Sequence, residues 1–182
     1  MKRVLLGCVI FGLGLAIGGV GGWVGGKRQM AAAESPGLSP GQRPPAFTAS
    51  DLNGIEQRLD RYQGKVLVLH FWATWCPFCR GEIEELKTLQ TEWARQGVAV
   101  LTVNLDEDLP TVQEFVKSQG LPYPVISDRR VGLLLGQQYD VRGIPVTYII
   151  GRDGRVVLRF NGQADLVEAV KTALQAPSPS TA

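Results

Sequence analysis

Two cysteines, Cys76 and Cys79, are separated by two residues and could exchange electrons as a dithiol and a disulfide. A β-branched and aromatic run over Lys65–Trp72 predicts a buried strand before them, and apolar positions three and four residues apart predict a helix over Gly81–Gln96. We expect Cys76 at the N-cap of this redox helix, with Pro77 at its first position. Because the N–H groups and the dipole of a helix start stabilise a thiolate, the pattern predicts thiol-disulfide exchange.

The expected reaction uses the two cysteines one after the other. The Cys76 thiolate attacks a disulfide of a client protein, and Cys79, shielded one turn further along, resolves the mixed disulfide. We expect no cofactor, because the redox-active Cys76–Cys79 disulfide itself carries the electrons.

An inert structural disulfide and half of a zinc site are the alternatives. A tetrahedral zinc site needs further ligands, and the remaining candidates are Cys8, in an apolar run, and His70, the only histidine of the chain. A disulfide that closes a loop of four residues stabilises a fold only slightly. The spacing therefore favours redox chemistry, and we expect no metal site.

The rest of the chain predicts alternating strands and helices. Strands are expected at 98–104, near 124–127, and in a hairpin of 146–150 and 156–161; helices are expected at 110–119, around 131–139 and at 166–175. Such alternation is typical of an α/β domain with a βαβ core.

Several separated motifs resemble the TlpA- and ResA-like branch of the thioredoxin superfamily. They are Phe71–Arg80 with the cysteine pair, Gly64–Val66 before it, Gly143–Tyr148 after it, Ala46–Thr48 with Asp51–Gly54 at the start, and Asp153–Gly154 in the last hairpin. The resemblance covers about Pro45 to Ala176. It implies a thioredoxin-like fold, with a mixed central sheet and helices on both faces.

The resemblance also implies a substrate-binding site. Pro145 matches the cis-proline of the family, which lies beside the redox pair and leaves the preceding backbone, at Ile144, free to pair with an extended client peptide. Trp75 and Pro77, on either side of Cys76, complete the candidate substrate-binding residues.

Two further residues are candidate catalytic groups. Glu82 matches an acidic residue that, in ResA-like proteins, tunes thiol ionisation or assists proton transfer; an ordinary first-turn glutamate is the alternative. His70 stands where ordinary thioredoxins have a buried aspartate and the ResA-like branch often has asparagine. A neutral imidazole there could relay the proton that Cys79 loses, and a hydrogen-bonded core histidine is the alternative.

The residues between the cysteines, Pro77 and Phe78, carry no charge and no histidine. Strongly oxidising members of the superfamily typically have histidine there, so its absence favours a reductant, with a potential on the order of −200 to −270 mV. The sequence leaves the direction of electron flow open.

Two other functions share parts of the pattern. Peroxiredoxins have similar features at Phe47–Thr48 and Gly64–Lys65, but their signature would place proline and threonine where Leu69 and Ala73 stand. Copper-chaperone relatives have three residues between their cysteines and a distant histidine, unlike this sequence. A thiol peroxidase and a copper-handling or binding module are the alternatives to a reductase.

The first 30 residues differ in composition from the rest. An uncharged run over Val4–Gly26 lies between two basic pairs and, at 1.5 Å per residue, would extend about 34 Å as a helix. We predict a signal anchor over residues 1–30, a Pro/Gly/Ser-rich linker over 31–45, a thioredoxin-like domain over 46–176 and a disordered tail over 177–182. A leader cleaved near Ala31–Ala33 is the alternative to the anchor.

The predicted anchor suggests a location and partners. A tethered thiol-disulfide domain is most useful where disulfides form, so we expect it on the extracytoplasmic, periplasmic side of the membrane. The expected partners are proteins with disulfides, such as apocytochrome c by resemblance, and a membrane donor of thiol electrons. The net charge of +2 has no basic cluster, so nucleic acid binding is not expected.

Overall fold

A five-stranded mixed sheet forms the centre of the computed structural model, which describes residues 37–176. In chain order the strands are β1 (Thr48–Ser50), β2 (Glu56–Arg58), β3 (Val66–Trp72), β4 (Val98–Asn104), β5 (Val125–Ile126), β6 (Val146–Ile150) and β7 (Val156–Asn161). The α-helices are α1 (Pro77–Gly81), α2 (Ile83–Glu92), α3 (Leu109–Gln119), α4 (Arg129–Gln138) and α5 (Leu166–Gln175), with 3-10 turns at Leu59–Tyr62 and Ala94–Gln96.

Strand β3 lies at the centre of the sheet, whose order is β5-β4-β3-β6-β7. It pairs in parallel with β4 and antiparallel with β6. Every residue of β3 and β4 is buried, because helices cover both faces of the sheet. The sequences of these two strands are rich in Val and Leu, as is typical of strands buried on both faces. The sheet and helices have the α/β arrangement that the resemblance implies.

Successive residues of β3 face opposite sides of the sheet. Val66, Val68 and Trp72 pack in one cluster with side chains of α2 and α5. Leu67, Leu69 and Phe71 pack in a second cluster with residues of α4. The period-two alternation therefore puts His70 on the face that the redox helix covers.

The predicted redox helix over Gly81–Gln96 is wrong as a single element. It is divided into α1, α2 and a 3-10 turn, and Glu82 separates α1 from α2 with φ −92° and ψ −6°. The Glu82 N–H bonds the Cys79 carbonyl at 3.2 Å, three residues back, so the turn there is 3-10 rather than α-helical. Downstream, Gly97 at φ 84° ends the 3-10 turn in the left-handed region.

Sequence patterns do not indicate the β1–β2 hairpin, because each strand has only three residues. The side chain of Asp51 stabilises the turn between β1 and β2. The Oδ1 atom accepts from the N–H groups of Asn53 and Ile55, and Oδ2 accepts from the side chain of Gln57.

Part of the predicted linker lies on the domain. Gly41 donates to the Val156 carbonyl at 2.8 Å, Val156 donates to the Gln42 carbonyl at 2.9 Å, and the Tyr139 hydroxyl donates to the Pro45 carbonyl at 2.8 Å. These contacts use backbone atoms, which a composition rich in Pro, Gly and Ser does not reveal.

The predicted anchor, the first part of the linker and the tail over 177–182 fall outside the described residues. Among residues 37–176, no helix has the length and apolar character needed to cross a membrane.

Candidate active site

Cys76 and Cys79 form a disulfide, and their Cα atoms are 5.3 Å apart. Cys76 occupies the N-cap of α1 with Pro77 in the first turn, as the sequence predicts. Its Sγ atom accepts a hydrogen bond from the N–H of Cys79 at 3.2 Å. A donor at this position stabilises negative charge on Cys76 when the disulfide opens.

Both cysteines are almost completely covered, since Cys76 is 3 % exposed and Cys79 is 1 % exposed. The residues beside them are the opposite: Trp75 is 68 % exposed and Phe78 is 63 % exposed. Pro77 is exposed as well. A client would therefore meet an apolar surface formed by these three side chains before it reached the sulfur atoms.

The segment before β6 contributes the remaining predicted substrate-binding residues. The Ile144–Pro145 peptide bond is cis, as the resemblance implies. The Cys76 Sγ atom lies 3.9 Å from the Ile144 carbonyl oxygen, although the two residues are 68 positions apart. Ile144 is half-buried and Pro145 is buried. The fold thus brings this segment against the redox pair.

Asp106 fixes the loop that precedes the redox pair, and the sequence analysis missed it. Its carboxylate accepts from the Thr74 N–H at 2.8 Å, from the Thr74 hydroxyl at 2.7 Å and from the Asn104 side-chain amide at 2.7 Å. A signal was present: parallel strands β3 and β4 end at the same edge of the sheet, so an acidic residue just after β4 lies beside the loop after β3.

Asp106 also lines a cleft of about 400 Å³ between the end of β4 and α4. The cleft shares Asp140 and Arg142 with a smaller cavity of about 260 Å³, which includes Ile144 and Pro145. The two cavities are therefore neighbours, and the smaller one includes the Ile144–Pro145 segment that contacts Cys76.

Glu82 is buried beneath the redox helix, with 1 % of its surface exposed. Its Oε1 atom accepts from the Ala164 N–H at 2.9 Å, and Oε2 has no hydrogen-bond partner among the described residues. Burial raises the pKa of Glu82 to about 7, the Ala164 hydrogen bond opposes this shift, and the charge of Glu85 adds to it. Glu82 can therefore exchange a proton near neutral pH.

His70 lies in β3 between Thr102 of β4 and Thr147 of β6 in the strand register. Its Nδ1 atom is 2.9 Å from the Thr147 hydroxyl and 4.0 Å from Oε2 of Glu82. Burial lowers the pKa of His70 to about 3, so the ring is neutral at physiological pH. The structure thus places together two residues that the sequence analysis treated separately.

The described residues contain no cluster of three or more His, Cys, Asp or Glu side chains that could hold a metal ion.

Comparison with known proteins gives consistent matches. The Redoxin family model matches residues 39–174. The thiol-disulfide oxidoreductase ResA of Geobacillus thermodenitrificans is 34 % identical over 80 % of this chain and 82 % of its own length. ResA of Bacillus subtilis is 34 % identical over 69 % of each chain. The crystal structure of a thioredoxin-family thiol:disulfide interchange protein from Chlorobium tepidum has a TM-score of 0.67 and 30 % identity, and covers 75 % of this chain and 98 % of that chain.

Replacing Asp106 with alanine should loosen the loop before Cys76. The variant loses three hydrogen bonds to one carboxylate and leaves the Thr74 N–H without its acceptor, so we expect a loss of about 2–3 kcal/mol in the free energy of unfolding. Urea denaturation measures it. The matched control is Glu107→Ala, whose exposed side chain pairs with Arg129 and should contribute less than about 1 kcal/mol. Equal stabilities of the two variants would contradict the role of Asp106.

Replacing Glu82 with glutamine should change how stability depends on pH. The folded-state pKa is about 7 and the ordinary value is 4.5, so the unfolded chain releases this proton first and stability falls as pH rises between these values. Glu82→Gln removes this fall in stability, and the glutamine side-chain oxygen can still accept the hydrogen bond from the Ala164 N–H. We expect the variant to gain about 2–3 kcal/mol relative to the wild type between pH 5 and pH 8. Glu84→Gln, at an exposed position on α2, is the control, and a pH-independent difference for Glu82→Gln would refute the assignment.

Proposed function

Because this chain belongs to the Redoxin family and is a ResA-like thiol-disulfide oxidoreductase with a Cys76–Cys79 pair, we propose that it reduces disulfides of client proteins outside the cytoplasm, apocytochrome c among them. The observation that carries the proposal is the position of the Cys76 sulfur. It lies at the N-cap of α1 and faces the Ile144 carbonyl across a site bordered by exposed aromatic side chains.

In the proposed reaction, the reduced protein begins with Cys76 as a thiolate. Its sulfur attacks one sulfur of the client disulfide and forms a mixed disulfide with Cys76, while the client S–S bond breaks and the other client sulfur leaves as a thiolate that takes up a proton. Cys79 then loses its proton and attacks the Cys76 sulfur. The client sulfur leaves as a thiolate and takes up a proton, and the Cys76–Cys79 disulfide of the present structure forms.

Glu82 is the proposed acceptor for the proton of Cys79. It follows Cys79 by one turn, and its N–H bonds the Cys79 carbonyl. One carboxylate oxygen is free of hydrogen bonds within the described part of the chain. With a pKa raised to about 7 by burial, the carboxylate accepts a proton near neutral pH more readily than an exposed glutamate does.

The proposed client surface comprises Trp75, Pro77, Ile144 and Pro145. Trp75 and Pro77 supply exposed apolar surface next to Cys76, and Ile144 offers backbone beside its sulfur. The cavity of about 260 Å³ beside Ile144 and Pro145, and the neighbouring cleft of about 400 Å³ at α4, have room for client side chains. Contacts with backbone and apolar surface suit an enzyme that acts on unfolded clients.

The proposed location follows from the N-terminal sequence. A long uncharged run between basic pairs favours a membrane anchor, and the anchored domain would work where protein disulfides form. After each reaction the oxidised pair must be reduced again. We propose a membrane protein that donates thiol electrons as the partner that does so.

Single cysteine variants test the order of the reaction. Cys79→Ser retains the attacking thiol and lacks the resolving one, so it should accumulate mixed disulfides with apocytochrome c. Cys76→Ser should accumulate none, because the remaining thiol lies under the redox helix with 1 % exposure. Non-reducing electrophoresis followed by mass spectrometry identifies the adducts. Equal trapping by both variants would overturn the assignment of roles. Adducts that contain other proteins and no apocytochrome c would overturn that choice of client.

The reduction potential tests the direction of electron flow. We expect the Cys76–Cys79 pair to equilibrate with glutathione buffers at about −200 to −270 mV, because no histidine lies between the cysteines to stabilise the reduced form. Alkylation and mass spectrometry measure the reduced fraction. A potential near that of DsbA, about −120 mV, would indicate an oxidase instead.

A further inference from the structure

Two buried polar side chains meet beneath the redox helix, and the reaction described above uses only one of them. His70 comes from the central strand β3 and Glu82 from the break between α1 and α2, and each side chain is 1 % exposed. Their nearest atoms, Nδ1 of His70 and Oε2 of Glu82, are 4.0 Å apart. This is about 1 Å beyond hydrogen-bond distance, so a small side-chain movement brings them into contact.

Both side chains have an unsatisfied polar atom. Nε2 of His70 and Oε2 of Glu82 are buried without a hydrogen-bond partner in the part of the chain that the structure describes. An unpaired buried polar atom costs about 1–3 kcal/mol, and native structures contain few of them. The unpaired Oε2 is the Glu82 atom nearest to His70, and the ring atom nearest to it is Nδ1, which also contacts Thr147.

The other contacts hold the two groups in place without neutralising them. The Thr147 hydroxyl lies 2.9 Å from Nδ1 and can donate to it or accept from it, so it suits either protonation state of the ring. The Ala164 N–H holds Oε1 of Glu82 and leaves Oε2 toward His70.

The charges around the pair come from few groups. Glu85 on α2 repels a charge on Glu82, and its own carboxylate accepts from the Leu166 N–H. On the strands that flank β3, the register neighbours of His70 are Thr102 and Thr147, which are uncharged. From the sheet, His70 is thus the titratable group that Glu82 faces.

We propose that His70 and Glu82 act as one unit that holds a single proton between β3 and the redox helix, with His70 as the positioning residue that sets how firmly Glu82 keeps it. The inference rests on the proposed function for its role in exchange. When Cys79 gives its proton to Oε2 of Glu82, the imidazole offers that proton a second site at Nδ1, because the carboxylate charge left 4.0 Å away offsets the cost of a buried imidazolium. The Cys79 thiolate attacks the Cys76 sulfur, the bond from Cys76 to the client breaks, and the pair later releases the proton to the client thiolate or to water.

The unit can be observed directly because His70 is the only histidine of the chain. We propose to label histidine with 15N in the oxidised full chain, prepared without a histidine tag, and to record the ring nitrogen signals across neutral pH. The disulfide removes thiol titration from the experiment. Proton sharing predicts a large change of the Nδ1 signal at the pH where Glu82 titrates. The change should vanish in Glu82→Gln and persist in the control Glu84→Gln.

A ring that only packs in the core gives a different result. Its signals would stay constant across this pH range, or would change equally in the wild type and in Glu82→Gln, and either result would overturn the proposal. Since this experiment needs no client and no turnover, it decides the inference even if the protein proves not to reduce disulfides.

Kinetics then test the role of the unit in exchange. His70→Asn keeps a partner for Thr147 and removes the second proton site, so the midpoint of the rate–pH profile for mixed-disulfide resolution should move about one unit toward lower pH. In a Glu82→Gln background the same substitution should leave the midpoint of the rate–pH profile unchanged. An unchanged profile in the wild-type background, or an equal shift in both backgrounds, would restrict His70 to packing.

Discussion

The structure depends on holding the Cys76 sulfur where three segments distant in sequence meet. Strand β3 ends just before the loop that carries Cys76, and Asp106, after β4, holds this loop through Thr74. The Ile144 carbonyl, in the segment before β6, lies beside the sulfur. Each segment is anchored in the buried sheet. The exposed aromatic residues can therefore contact clients while the sulfur keeps its position.

Burial of His70 and Glu82 imposes opposite pH dependences on stability. The pKa of His70 is lowered from 6.5 to about 3, so its contribution to stability is lost as pH falls through this range. The pKa of Glu82 is raised from 4.5 to about 7, so its contribution is lost as pH rises through that range. Between pH 4.5 and 6.5 the unfolded chain carries one proton on the histidine and the folded protein carries one on the glutamate. In this range the contributions of His70 and Glu82 to the pH dependence of the free energy of unfolding therefore cancel.

Local patterns predict much of the fold because they are strong in the buried strands. The bounds of β4, β6, β7 and α5 agree with prediction, and the cysteine pair occupies the predicted helix start. Local patterns do not show the break at Glu82, whose side chain accepts a hydrogen bond from the Ala164 N–H, 82 positions away. Asp106 was missed because its partners become neighbours only when two parallel strands end together. The proximity of His70 to Glu82 likewise depends on how the redox helix crosses the sheet.

Charge conservation explains why an acceptor for the Cys79 proton should be buried with the cysteine. Cys79 and Cys76 belong to the apolar cluster between the sheet and the redox helix, where creating a net charge is costly. If Glu82 is ionised when Cys79 is a thiol, transfer of the proton moves one negative charge from oxygen to sulfur and creates none. An exposed base would instead leave the thiolate as a new charge in the cluster. In the proposed unit His70 would add a second site for the proton without changing the net charge, so proton transfer would redistribute charge within the site while the total stays constant.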